Sequence, residues 1–551
     1  MHTQRISGEL FANMIRGGAA NLAANRQTVN DLNVFPIPDG DTGDNMFMTM
    51  DSGAMELSGG SAGALGDIAA SAAKGMLLGA RGNSGVILSR IFAGISHGLD
   101  GVEQADLSTF SRAFQQGVEE AYRAVSVPVE GTILTVYREA VAYAAGRLRE
   151  GSTAEDYFDD FMDELHRSLE RTPELLDVLK DAGVVDSGGA GFIYIAEGMR
   201  KALDGADFSP TAERPAEKKA GPDLSLFTED SQLTFGYCTE FLLRLQRSKV
   251  DLDTFDAKEI SDYLNGAGDS VVCFRDGSIV KVHVHTKTPG EILNRMQRWG
   301  EFLTLKIENM TLQHSEARIQ NNYVPPKRRP HKAYGIVAVA AGEGMRATFL
   351  ELGCDEVVSG GQSMNPSAED FLHAFSQINA DVILVFPNNG NVVLTARQAA
   401  QLYTNAEIRV VETKTIGEGY AAISMLDTSC GDTEAILDAL REIIAGVVTG
   451  HVSAANRETV KDGVVVRPGD FIGFARDRIY VDDPDRSAAV LRLAEALETG
   501  SFDILLLVAG KDAPAGEAEA LLTDLKKRFP RTEIILQQGD QPVYDYILIL
   551  E

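Results

Sequence analysis

No stretch of this sequence stays apolar long enough to cross a membrane. Asp381-Val382-Ile383-Leu384-Val385-Phe386 has the length of a buried strand instead. Cysteine is scarce: Cys238, Cys273, Cys354 and Cys430 lie far apart with no CxxC pair. That excludes a disulfide-stapled scaffold and suits a reducing compartment. The start, Met1-His2-Thr3-Gln4-Arg5-Ile6-Ser7, leads into an amphipathic segment and lacks the apolar core of a signal peptide. Positive charge is in deficit. Against 80 Asp and Glu stand 51 Lys and Arg, a formal net charge of −29, which repels nucleic acid and anionic membrane surfaces. A soluble cytoplasmic protein with no nucleic-acid partner and no integral membrane segment is expected.

What the chain does have is a run unlike any other in it: Leu32-Asn33-Val34-Phe35-Pro36-Ile37-Pro38-Asp39-Gly40-Asp41-Thr42-Gly43-Asp44-Asn45-Met46. Its prolines and glycines rule out a continuous helix or central strand. Asp39 and Asp41 sit two residues apart with Asp44 close behind, and gathered carboxylates repel unless a cation lies among them. Hard oxygen ligands of this kind suit Mg2+. A solvated acidic turn would use the same residue types. A calcium-binding EF-hand loop does not fit, because its fifth and twelfth positions would be Gly43 and Met50.

At 551 residues, three or four domains are expected. In residues 1–205 apolar positions recur with helical spacing at Leu10, Phe11, Met14, Ile15 and Leu22. They recur again over Ile68–Leu78, Val86–Leu99, Phe110–Val125, Thr132–Leu148 and Tyr157–Leu169. An all-α bundle or barrel of about eight helices follows. Three joints between helices are rich in glycine. Gly79-Ala80-Arg81-Gly82-Asn83-Ser84-Gly85 is one, Glu130-Gly131-Thr132 the second, and the run from Asp181 through Asp186-Ser187-Gly188-Gly189 to Gly191 the third. Each can cap a helix or hold a phosphate at its N-terminus. Together with the carboxylate loop they point to a nucleotide site.

LNVFPIPDGDTGDNM followed in order by GARGNSGVILSR, GTILTV and DAGVVDSGGAGF resembles the nucleotide-binding domain of dihydroxyacetone kinases. It is still more similar to the version in bacterial fatty acid kinases. The resemblance implies an N-terminal helical barrel holding ATP and two Mg2+ at its rim. Asp39 and Asp41 would be the catalytic metal ligands, with Asn33 where dihydroxyacetone kinases place a third Asp. Thr42 and Asn45 would lie beside the metal, and Asn83, Ser84 and Thr132 would contact phosphates. The loop containing Asp186 would close over the nucleotide. Asp44 stands where the family often has Thr, and is expected to face solvent.

A proline-containing, mixed-charge tether, 206–230, precedes a small α+β domain at 231–322. Within it Phe235–Leu245 alternates as a strand, Ala257–Leu264 and Pro289–Trp299 are helical, and Ser270–Phe274 with Ile279–Thr286 form a hairpin. Val280, Val282 and Val284 share one face of the second hairpin strand, and Lys281, His283 and His285 the other. An HxH pair can chelate Zn2+, with Cys238 a possible thiolate partner; two polar-face histidines beside an ordinary cysteine is the alternative. YCTEF and KVHVHT are similar to the middle domain of fatty acid kinases, which implies structural Zn2+ on Cys238, His283 and His285.

A second tether, 323–332, leads to residues 333–551, where strand-like and helix-like segments alternate as in an α/β region with a largely parallel sheet. A second α/β set includes Phe471–Val481 as one strand-like segment. Gly360–Ser367 and Pro387–Asn391 fall in loops after strands, where such sheets bind ligands, although both are also ordinary turn sequences. No residue of this region stands out as catalytic. The GGQSMNPS, FPNNGN and GDQPVYDYILILE runs resemble the C-terminal region of fatty acid kinases, implying a two-lobed α/β unit related to DegV-type lipid-binding proteins.

The expected activity is transfer of the γ-phosphoryl of ATP to the carboxylate of a fatty acid. The resemblance implies that a separate DegV-family binding protein holds the acid, and that the acyl phosphate serves phospholipid synthesis; a homodimer is also expected. Positioning and charge neutralisation can supply such catalysis, and an ionised carboxylate needs no general base. Two other readings use the same motifs: a small-polyol kinase of the dihydroxyacetone type, and a nucleotide-sensing scaffold without turnover.

Overall fold

Nine helices follow one another through the described residues of the amino-terminal region of this computed structural model. They are α1 (Gly8–Leu32), α2 (Thr42–Glu56), α3 (Leu65–Gly79), α4 (Gly82–Gly98), α5 (Leu107–Ala124), α6 (Ile133–Arg147), α7 (Ala154–Leu175), α8 (Asp177–Ala182) and α9 (Ser187–Leu203). The structure describes residues 3–33, 40–57, 63–125, 127–208, 237–252, 255–256, 258–276, 278–309, 331–361, 365–455, 458–476 and 478–551. Asp39 and most of both tethers lie outside these residues, as do the side chains of Cys238, His283 and His285.

Small residues let helices touch backbone to backbone. At Gly198 on α9 a methyl would overlap the carbonyl oxygen of Gly17 on α1. Aromatic rings fill the opposite part of the core: Phe110, Phe114, Tyr137, Tyr157, Phe158 and Phe161 are at most 1% exposed. Tyr137 also satisfies its hydroxyl by donating to the Phe114 carbonyl at 3.0 Å, as a buried tyrosine must. The all-α expectation needs one correction. β1 (Arg5–Ser7) pairs antiparallel with β2 (Gln104–Asp106). Ser7 caps α1 by accepting from Leu10 N at 3.2 Å, and Asp106 caps α5 by accepting from Thr109 N at 2.8 Å. Residues at an N-cap are extended, so two such stubs side by side make a ribbon.

By internal contacts the chain divides into two units, Met1–Thr211 with Tyr334–Phe371 and Val382–Glu551, and Ala212–Ala333 with Leu372–Asp381. The second unit holds β3 (Tyr237–Leu245), α10 (Lys258–Ala267), β4 (Asp269–Asp276), β5 (Ile279–Thr286), α11 (Pro289–Met296) and β6 (Gly300–Asn309). Its antiparallel sheet runs in the order β4-β5-β3-β6. Val280, Val282 and Val284 are buried as the alternation predicts. β6, which does not stand out in the sequence, lies at the sheet edge.

The α/β part contains β7 (Lys332–Ala340), α12 (Glu343–Glu351), β8 (Glu356–Ser359), α13 (Ala368–Ser376), β9 (Ala380–Phe386), α14 (Val393–Leu402) and β10 (Glu407–Val410). α15 (Ile416–Ser424) and α16 (Thr433–Gly446) follow. Then come β11 (Val448–Ala454), β12 (Thr459–Lys461), β13 (Val464–Val466), β14 (Phe471–Ala475), β15 (Arg478–Asp483), α17 (Arg486–Ala496), β16 (Ile504–Ala509), α18 (Ala515–Arg528), β17 (Glu533–Gln538) and β18 (Tyr546–Leu550). The first sheet, β10-β9-β7-β8, has the expected parallel pairings. The second, β15-β14-β11-β18-β16-β17, departs from expectation: only β16 and β17 run parallel. Phe471–Val481 is two antiparallel strands, because the chain reverses at Arg476, whose φ is +52°.

Candidate nucleotide and metal site

The acidic loop ends where α2 begins, and Asp41 occupies the N-cap position. An Asp there ordinarily turns back to accept a backbone N–H of the first turn. Asp41 makes no such bond. Asn30, from the last turn of α1, does the capping instead: its Oδ1 accepts Gly43 N at 2.7 Å and Asp44 N at 3.2 Å. Gly43 is what admits it, since a methyl there would overlap the Arg26 carbonyl oxygen. The substitution of caps means that the Asp41 carboxylate is not engaged in capping, although the residue is only 7% exposed. Asp44, expected to face solvent, keeps 43% of its side chain exposed and is also bonded. Its carboxylate accepts Asn30 Nδ2 at 2.7 Å and pairs with Arg26 Nε at 3.0 Å, so it braces the loop. Asn33 ends α1, its N–H donating to the Asn30 carbonyl at 3.0 Å.

Three further helix N-termini meet this one. Ser187, the first residue of α9, donates to Thr42 Oγ1 at 3.2 Å. Gly82 opens α4 with φ +58°, a value that favours glycine, and a Cβ there would stand 2.7 Å from Asn45 Nδ2. Asp186 joins the other two: it accepts Gly189 N at 2.7 Å as the cap of α9 and also bonds the backbone of Ile133, which opens α6. Burial of its carboxyl pushes the pKa up to about 6 against the pull of those two N–H groups. Thr132 is engaged as the cap of α6, accepting Leu134 N at 3.4 Å and donating to the Val129 carbonyl at 2.8 Å. Asn83 and Ser84 lie in the first turn of α4. Four helix starts thus bring their positive dipole ends to one rim, an arrangement suited to phosphate.

The α/β region contributes Asn365 and Asn391, from the two loops that the sequence places after strands. Asn365 is 1% exposed, and its Nδ2 donates to Asp41 Oδ2 at 2.6 Å. Local sequence holds it there. Pro366 biases the residue before it towards an extended backbone. Ser367 and Asp370 then form a reciprocal cap of α13, with Ser367 N to Asp370 Oδ2 at 2.7 Å and Asp370 N to Ser367 Oγ at 3.2 Å. Arg81 grips the same turn: its Nη1 donates to the Asn365 carbonyl at 2.9 Å, and its backbone bridges to Ser367. Farther along, Asn83 Nδ2 donates to Asn391 Oδ1 at 3.0 Å and Gln398 Nε2 to the Leu77 carbonyl at 2.5 Å. In the Pro387–Asn391 loop Asn388 is structural, bonded to Val339 and Thr413. No local signal marks Asn30, and the loop position of Asn365 does not reveal its bond to a residue 324 positions away.

Asp41, Thr42, Asn45, Asn83 and Asp186 are therefore gathered at one rim, with Ser84 and Thr132 on its helix starts, while Asp39 lies outside the described residues. The chemistry of the donor set fits Mg2+. The Asp41 carboxylate is bonded by Asn365, and Asn83 and Asn365 each bury a carboxamide oxygen that has no hydrogen-bond partner among the described residues. The side chains of Cys238, His283 and His285, expected to hold zinc, lie outside the described residues, as does Asp39. Among the described residues no group of three His, Cys, Asp or Glu could hold a metal. The backbone register nevertheless sets Cys238 opposite His285, and Glu240 opposite His283. Among the described residues no helix is long and apolar enough to cross a membrane.

Comparison with known proteins agrees with this layout. Residues 36–201 match the DAK2 domain, 234–317 the FakA-like middle domain of fatty acid kinases, and 335–551 the FakA-like C-terminal domain. Protein YloV of Bacillus subtilis is 38% identical over 566 residues, covering 100% of both chains. An uncharacterized Staphylococcus epidermidis protein, SERP0792, is 36% identical over 99% of this chain and 100% of its own. Among solved structures, a DegV family protein from Thermus thermophilus covers 40% of this chain and 100% of its own at 14% identity, with a TM-score of 0.30. The Streptococcus pneumoniae fatty acid kinase B3 protein gives 13% identity over 40% of this chain and 99% of its own, with a TM-score of 0.30. From its first domain to its last, the chain belongs to the FakA-like fatty acid kinase family.

Proposed function

We propose that this protein is the catalytic component of a cytoplasmic fatty acid kinase, transferring the γ-phosphoryl of ATP to a fatty acid carboxylate and releasing an acyl phosphate for phospholipid synthesis. One observation carries the reading: four helix N-termini converge beside a carboxylate relieved of capping. A closed helical barrel with the nucleotide at its rim belongs to the same reading. Asp41, with Asp39 and Asn33, would hold Mg2+, whose contribution is to neutralise charge on the phosphates. The N-termini of α2, α4, α6 and α9 orient the phosphate chain, with Thr42, Asn45, Asn83, Ser84, Thr132 and Asp186 around it. The acceptor carboxylate is ionised near neutral pH, so no side chain has to remove a proton.

The acceptor reaches the site on a DegV-type fatty-acid-binding partner; the family is described as one component of a multi-component kinase, which supports a second protein. Hydroxylamine trapping tests the whole proposal, with ATP, Mg2+, a fatty acid and such a partner from the same cell. Acyl hydroxamate that requires both proteins is the expected product. Steady ADP without hydroxamate would turn attention to dihydroxyacetone as acceptor, and neither product would leave a nucleotide-sensing scaffold.

Two assembly features complete the proposal. Leu303, Leu305 and Ile307 on the edge strand β6 are 45%, 47% and 40% exposed, a row that supports homodimerisation. The Cys238–His285 register supports the structural zinc, with His283 as third protein ligand. Native mass spectrometry of material never exposed to chelator is expected to give a dimer with about one zinc per chain, as a single three-ligand site would hold. A metal-free monomer would remove both features.

A further inference from the structure

We infer that Asn365, from the α/β region, is a positioning residue of the kinase site: its side-chain amide holds the Asp41 carboxylate in the orientation that binds the metal. The inference rests on the proposed role of Asp41 and extends it to a residue 324 positions away. Ligating carboxylates generally need such a partner, because a carboxylate free to rotate spreads its lone pairs over many directions. The usual source, a backbone N–H at a helix start, is lost to Asp41, since Asn30 takes the first-turn N–H groups of α2. Asn365 Nδ2 at 2.6 Å replaces it. A hydrogen bond of this kind occupies one of roughly four acceptor positions on a carboxylate.

Three features mark the contact as built. Asn365 is 1% exposed, so its amide is fixed by packing. Arg81, in the glycine-rich turn that opens α4, clasps the Asn365 carbonyl at 2.9 Å and pairs with Asp370 at 3.6 Å. The Asn365 Oδ1 atom is buried with no hydrogen-bond partner among the described residues, an expensive state unless a bound group completes it. A cation on Asp41, or water in its coordination shell, would be that group. Phosphoryl transfer would then depend on the α/β region being seated on the helices.

The test is Mn2+ binding followed by electron paramagnetic resonance, on the full-length protein in the presence of ADP. Asn365→Ala is expected to weaken Mn2+ binding roughly 10- to 100-fold, the usual cost of losing a group that orients a ligand. Asn365→Ser, which keeps a donor in a small volume, is expected to recover part of that loss. Gln401→Ala breaks the outlying contact in which Arg90 Nη2 donates to Gln401 Oε1 at 2.8 Å, and is expected to bind Mn2+ as the wild type does. Wild-type affinity in Asn365→Ala overturns the inference. Tighter binding does so too, since the amide would then be a competitor of the metal. An equal loss in Gln401→Ala overturns it as well, by making docking alone responsible. Asp41→Ala binding Mn2+ like wild type would instead refute the functional reading, and the inference with it.

Discussion

Replacing Asp41 with alanine is expected to lower acyl phosphate formation roughly 100- to 1000-fold, because a carboxylate-held cation supplies several kcal/mol of charge stabilisation in the transition state. The fold should survive. Asn30 rather than Asp41 caps α2, so the helix keeps its N-terminal bonds when the carboxylate is removed. An unchanged circular dichroism spectrum with lost turnover is the expected pair of results. Asp41→Asn serves as the isosteric check, since it keeps the volume at this buried position and removes only the charge. Turnover within about threefold of wild type in both variants would place the metal elsewhere, a factor too small for the loss of a metal ligand.

The second large effect is on stability against pH, where two buried groups act in opposite directions. Asp186 rises from 3.8 to about 6 on folding because its carboxyl is buried. Between those values the folded state holds a proton that the unfolded state has lost, so stability falls as pH rises through the window. His451 is stacked on Phe474 with ring centroids 5.1 Å apart, and burial lowers its pKa from 6.5 to about 4. Between those values the unfolded state holds the extra proton, so stability rises with pH. Each effect is about 3 kcal/mol at full extent by linkage. In the wild type the two slopes largely offset one another if the helical and α/β regions unfold together. Asp186→Asn keeps a good N-cap and should leave the rise alone; His451→Gln should leave the fall alone. Urea unfolding at intervals from pH 4 to 7 reads both. Flat profiles in the two variants would contradict the assigned burial of these groups.

Helices of the first region were legible where an apolar stripe at helical spacing follows a capping residue. α5 and α7 illustrate this, with Asp106 and Thr153 as caps. β6 was not legible because only Leu303, Leu305 and Ile307 alternate, and that apolar face is exposed. Phe471–Val481 reads as one apolar strand because the reversal rests on Arg476 adopting a positive φ, which no turn-forming glycine announces. At the site, the spacing of carboxylates pointed to Asp41, a glycine-rich joint to Asn83, and the family resemblance to Asp186. None of these could reveal that Asn30 takes over a capping bond or that Asn365 completes the arrangement. Those roles arise from tertiary contact between segments whose local sequence is explained equally well by a helix end and by a turn.

β18 follows every other strand in the sequence yet lies inside the six-stranded sheet, flanked by β11 and β16. During synthesis the helical region leaves the ribosome hundreds of residues earlier and can fold alone, whereas this sheet must wait for its central strand. Under the role inferred for Asn365, a half-made chain presents a nucleotide site with an unbraced metal ligand. Fragments that stop before Asn365 would be poor at consuming ATP.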